Sequence, residues 1–86
     1  MTKLQRALLA FAAVTERNEG IPPSVRELQQ ELELRSTGTA LRWMDQLELE
    51  GLVYIPAALR GRYEHRSRQL TPQGWFRVAR LREEAA

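Results

Sequence analysis

An α+β chain is what these 86 residues predict: three helices, a short β-hairpin and a fourth helix. Pro22 to Gly51 contains two helical stretches separated only by Glu33-Leu34-Arg35, which is the shape of a helix-turn-helix. Leu52-Val53-Tyr54-Ile55 is β-branched and aromatic, and Arg66-Ser67-Arg68-Gln69-Leu70 suits a returning strand. Thr71-Pro72 then opens a further helix, a cap followed by proline at the first helical position. The length fits one domain, residues 1–86, with no linker, repeat or low-complexity segment.

The first helix is expected from Lys3 to about Asn18, capped by Thr2. Leu4, Ala7, Leu8, Phe11, Val14 and Thr15 recur at spacings of three and four on one broad stripe. Leu9 falls off that stripe, and Gly20 is placed to end the helix in the left-handed conformation. Pro22-Pro23 breaks any helix, and Ile21 suits a short edge strand, which would make the sheet three-stranded rather than two-stranded. Ser24-Val25-Arg26-Glu27 is a complete capping box for the second helix, which buries Val25, Leu28 and Leu32. Leu34 tucks between the helices. Ser36 caps a third helix reaching about Glu50, with Ala40, Trp43, Met44 and Leu47 inward and Gly38, Thr39, Arg42, Asp45, Gln46 and Leu49 outward. The helix-turn-helix thus spans about residues 24–50, the hairpin about 52–70, and the last helix about 72–84, with Gly61 at the turning point of the loop. A strand, loop and strand directly after a helix-turn-helix make a wing, so the expected architecture is a winged helix-turn-helix with an extra C-terminal helix.

On that last helix Trp75, Phe76, Val78, Ala79 and Leu81 cover more than half the circumference, wider than the stripe one-sided packing needs. The excess points to two-sided burial, one side on the domain and the other on a second copy, making the chain a homodimer.

Composition excludes several kinds of function. No cysteine is present and His65 is the sole histidine, so disulfides, thiolate metal sites and histidine clusters are out, and no cofactor is expected. No phosphate loop, carboxylate-pair motif or nucleophile elbow occurs; Ser24 and Ser36 are accounted for as caps, so no enzyme chemistry or small-molecule substrate is expected. No apolar run approaches the roughly 20 residues of a membrane span, and the absence of cysteine fits a reducing cytosol. The net charge of +2 is unevenly placed. Residues 1–51 hold six cations and eight anions, whereas 52–86 hold seven arginines against Glu64, Glu83 and Glu84.

Nucleic-acid chemistry has several mutually supporting pieces. Ser36, Gly38 and Thr39 are short and let the start of the third helix approach a duplex closely. Arg42, about one turn later, reaches a guanine edge. Arg35 in the turn suits a phosphate. Ser24 and Arg26 head the second helix, which crosses the backbone in such motifs. Arg60 and Arg62 flank Gly61 at the wing tip, where a cation enters a minor groove or meets phosphate. Asp45, Glu48 and Glu50 would repel phosphates, so the C-terminal half of the third helix is expected to angle away.

Gly20-Ile21-Pro22-Pro23-Ser24, Glu27-Leu28, Gln30, Leu32, Leu34-Arg35-Ser36, Ala40, Leu47 and Gly51 closely resemble the DNA-binding domain of the LexA repressor family. The resemblance implies a winged helix-turn-helix that reads double-stranded DNA as a dimer on a two-fold site, with Ser36, Gly38, Thr39, Leu41 and Arg42 at base-reading positions. Thr37-Gly38 stands where the family has Pro-Asn, and Leu41 and Arg42 stand at its two acidic reading positions, so a different target is implied. The family's peptidase half has no counterpart in these residues, and Gln69 to Gly74 with the helix after it is similar to the endings of MarR-like regulators. The function these readings point to is sequence-specific DNA binding by a small repressor-like transcriptional regulator. The alternative, from mild net charge and a broad apolar last helix, is a winged-helix module for binding other proteins.

Overall fold

The structure, a computed structural model, describes residues 1–59 and 66–86. The element order is α1 (Lys3–Arg17), α2 (Val25–Glu31), α3 (Thr37–Leu49), β1 (Val53–Tyr54), a single 3-10 turn at Ala57–Leu59, β2 (Gln69–Leu70) and α4 (Pro72–Ala85). All four α-helices begin with a hydroxyl cap: Thr2, Ser24, Ser36 and Thr71 each accept a bond from the backbone amide three residues on.

The first three helices also end alike. After α1, the Gly20 amide donates to Thr15 O at 2.8 Å; after α2, the Leu34 amide donates to Gln29 O at 2.9 Å; after α3, the Leu52 amide donates to Leu47 O at 3.0 Å. Each is the six-to-one bond of a Schellman motif, whose penultimate residue turns left-handed. Gly51 fills that place after α3 with φ +74°, at no steric cost. The other two places fall to Glu19 (φ 56°) and Glu33 (φ 54°). The left-handed stop of α1 is therefore Glu19, one residue before the expected Gly20, which follows with φ 96°.

Ile21 is not a strand. Its amide turns back to Asn18 O at 3.2 Å and Pro22 has no amide to offer a ladder, so the segment stays irregular and Ile21 is 54% exposed. The sheet of the described residues is two-stranded and antiparallel, pairing Val53 with Leu70 and Tyr54 with Gln69. Val53 and Leu70 face the core and Tyr54 faces out. Both strands are shorter than their sequence patterns: Pro56 and the following 3-10 turn end the first, and the second holds only Gln69 and Leu70, with Arg66 to Arg68 outside it.

α1 is the central helix. Beyond the expected stripe it buries Ala10 and Ala12, and Leu9 is half-buried against the core, because α2, α3 and α4 all pack on it. Phe11, Leu8, Leu28, Met44, Leu47, Val53 and Val78 form the centre. Thr15 is buried with its hydroxyl donating to Phe11 O at 2.8 Å. α4 enters through a tight joint. The Thr71 amide donates to Leu52 O at 3.0 Å, its hydroxyl to Gly51 O at 2.8 Å, and a Cβ on Gly74 would lie 2.1 Å from Leu52 O. Only glycine admits that approach.

Candidate nucleic-acid interface

The helix-turn-helix projects the start of α3 from the protein. Ser36, Thr37, Gly38, Leu41 and Arg42 are exposed and Thr39 is half-buried, while Ala40, Met44 and Leu47 anchor the opposite side. Trp43 is half-buried against the core. The turn places Arg35 in solvent immediately before the cap. It is fixed from α2 by Gln29, whose side-chain amide donates to Leu34 O at 3.1 Å.

Ser24, Arg26, Gly38 and Leu41 converge. They line one shallow groove of about 700 Å³ between the starts of α2 and α3, together with Val25, Thr37 and Arg66. Thr39 and Arg42 line the adjoining groove along α3 with Trp43, Asp45, Gln46 and Leu49. Arg60 and Arg62 lie outside the described residues, as does His65. Two of the sequence-predicted hydroxyls are already engaged. Ser24 Oγ accepts from the Glu27 amide at 3.1 Å, and Ser36 Oγ accepts from the Thr39 amide at 3.2 Å and sits 3.1 Å from Thr39 Oγ1.

The charges divide into bound and presented groups. Arg66 donates to Glu27 Oε1 and to Pro22 O, the latter at 3.0 Å. With the Ser24 amide also donating to Glu27 Oε1 at 3.0 Å, the carboxyl of Glu27 is held down at about 2, chiefly by the Arg66 bond. Arg68 joins Asp45 Oδ1 at 2.6 Å and Glu48 Oε1 at 3.1 Å, and its side chain is only 17% exposed. Arg17 reaches Glu31 at 2.8 Å. Arg82 clasps Glu16 with bonds of 2.6 and 3.1 Å, which lowers the Glu16 carboxyl and raises the Arg82 guanidinium. Among the described residues, Arg26, Arg35 and Arg42 form no ion pair.

This pairing explains much of the charge asymmetry between the two halves. Arg66, Arg68 and Arg82 from the second half meet Glu27, Asp45, Glu48 and Glu16 from the first. Sequence reasoning placed Arg66 and Arg68 in the returning strand and gave them no ion-pair partners; the signal that could have found those partners is that one half is acidic and the other basic. Asp45 and Glu48, expected as bare repellents of phosphate, are bridged by Arg68, which ties the back half of α3 to the residues before β2.

On α4, Val78 (1% exposed) and Leu81 (5%) are core side chains. The surface available to a second copy therefore narrows to Trp75 (37%), Phe76 (64%) and Ala79. The sequence counted five apolar residues on the helix, but helical period alone does not tell which of two adjoining sectors faces inward.

Among the described residues no helix is long and apolar enough to cross a membrane, and no acid or histidine cluster is arranged to hold a metal. No curated protein and no solved structure matches the chain. The LexA DNA binding domain matches over residues 1–61, from the first helix through the helix-turn-helix and into the wing, and the chain belongs to that DNA-binding family.

Proposed function

We propose that the protein is a small repressor-like transcriptional regulator that binds a specific double-stranded DNA site, with α3 in the major groove. The observation that carries this is the exposed set Ser36, Thr37, Gly38, Leu41 and Arg42, on a helix with no acid in its first turn and with Arg26 beside its start. Arg42 reads a guanine edge. Arg26 and Arg35 meet phosphates on either side, and the wing arginines Arg60 and Arg62 reach backbone or minor groove. The whole of residues 1–86 acts as one unit in this reading.

Two copies pair through α4. Phe76 and Ala79 stand three residues apart on its exposed side. An antiparallel, two-fold pairing centred between residues 77 and 78 sets Phe76 against the small Ala79 of the second copy, a self-complementary arrangement.

Selection of bound duplexes from a random pool tests the reading. We expect a defined two-fold sequence to emerge, and Arg42→Ala to weaken binding to it by about ten- to hundredfold while changing random-duplex binding far less. Equal losses on both would remove Arg42 as a base reader. No binding to any duplex at low salt would favour a protein-interaction module instead, and a monomer in sedimentation at high concentration would remove the α4 pairing.

A further inference from the structure

Gly38 occupies the second position of α3 in ordinary helical backbone, since the positive-φ glycines of the described residues are Gly20 and Gly51. A Cβ built on it would meet nothing closer than Ser36 Oγ at 3.8 Å, an ordinary contact. The fold therefore has no use for glycine here, and glycine weakens a helix relative to alanine. The bare backbone at this exposed position leaves room for a group from outside the molecule.

One turn further on, at steps of three and four, stand Leu41 and Arg42, so the three residues share one face. Leu41 is 41% exposed and walls the same groove as Gly38, Val25 and Arg26. A bare notch and an apolar wall, with Arg42 on the same helix face in the adjoining groove, form a shaped surface. In the major groove the apolar projection of a base pair is a pyrimidine 5-methyl group, and the best match for a guanidinium fork is guanine O6 and N7.

Resting on the proposed DNA reading, we infer that Gly38, Leu41 and Arg42 recognise a 5-methylpyrimidine next to a guanine. The methyl group sits over Gly38 against Leu41, and Arg42 takes the neighbouring guanine. The methyl belongs to thymine or to 5-methylcytosine, which present the same group at the same place.

The test uses the enriched duplex with each thymine replaced singly by deoxyuridine, which deletes only the methyl, and in a second arm each cytosine beside a guanine replaced by 5-methylcytosine. For the native chain one position should show a methyl effect of about fourfold in affinity, the value of burying one such group. The effect should vanish in Leu41→Ala, whose melting should match the parent because Leu41 is a surface residue. An effect in the first arm identifies thymine, and one in the second identifies methylcytosine. A flat response in both arms, or a methyl effect that survives in Leu41→Ala, overturns the inference while leaving DNA binding intact. Failure to enrich any duplex overturns the DNA reading and this inference with it.

Discussion

Two serines start two consecutive helices, and their surroundings diverge three residues later. At α2, Ser24 is followed by Glu27, whose carboxylate returns to the cap amide and is gripped by Arg66. At α3, Ser36 is followed by Thr39, which offers only a hydroxyl. The start of α2 is thus electrically filled, since an acid sits on the positive end of the helix dipole. The start of α3 has no acid in its first turn and carries Gly38 besides. One cap is built to hold its helix, and the other forgoes part of that stability and keeps its amide end accessible. Under the proposed DNA reading, an α3 start without an acid suits a polyanion, whereas the start of α2 is closed by its own carboxylate.

The sharpest way to break the contrast is to move the box. Thr39→Glu writes Ser-Thr-Gly-Glu at α3, a capping box like that of α2. We expect a higher melting temperature and roughly ten- to hundredfold weaker DNA binding, from like charge set against phosphate. Retained affinity would show that α3 does not face the backbone or bases there. Ser24→Ala should cost about 1–2 kcal/mol by thermal or urea unfolding, because it removes a cap that is half of a reciprocal pair. Its DNA affinity, measured well below the melting point, should change less than its stability.

Gly38→Ala should act with opposite signs on the two readouts. It gains up to about 1 kcal/mol of stability in the first turn of α3 and weakens binding to the specific duplex. A loss of stability would mean that glycine is required by the fold after all. The smallest effect concerns charge alone. Glu27→Gln keeps the box geometry but discards the ion pair with Arg66. Because the folded carboxyl is held below its ordinary value of 4.5, its contribution is present above that pH and is lost as pH falls toward about 2. The parent should therefore lose up to about 1 kcal/mol more than the variant across that window, read by acid unfolding.

Much of this contrast is legible in the chain itself. The four caps, the Ser24–Glu27 box, the α3 boundaries and the inward set of Ala40, Met44 and Leu47 follow from local chemistry and helical period. The helix stops at Glu19 and Glu33 are less so, because a left-handed glutamate has no residue signature and is imposed by the bonds closing around it. The bridges from Arg66 to Glu27 and from Arg68 to Asp45 and Glu48 join residues 20 or more apart, and no local rule pairs them. The same holds for Val78 and Leu81, whose burial depends on where α1 lies rather than on their own spacing. The candidate reading face, by contrast, was visible because short residues and an arginine at one-turn spacing are a local pattern.

The joint at Gly74 carries a consequence for how the molecule would measure DNA. Gly51 O and Leu52 O, in the stop just after α3, both take bonds from Thr71, and Gly74 presses on the second, so the first turn of α4 is fastened to the end of α3 through two adjacent carbonyls. The angle between the helix proposed to read and the helix proposed to pair is therefore set by backbone contact and the Thr71 hydroxyl. Two copies joined along α4 would behave like calipers locked at one opening. They would accept half-sites at one separation and reject the same half-sites moved by a few base pairs.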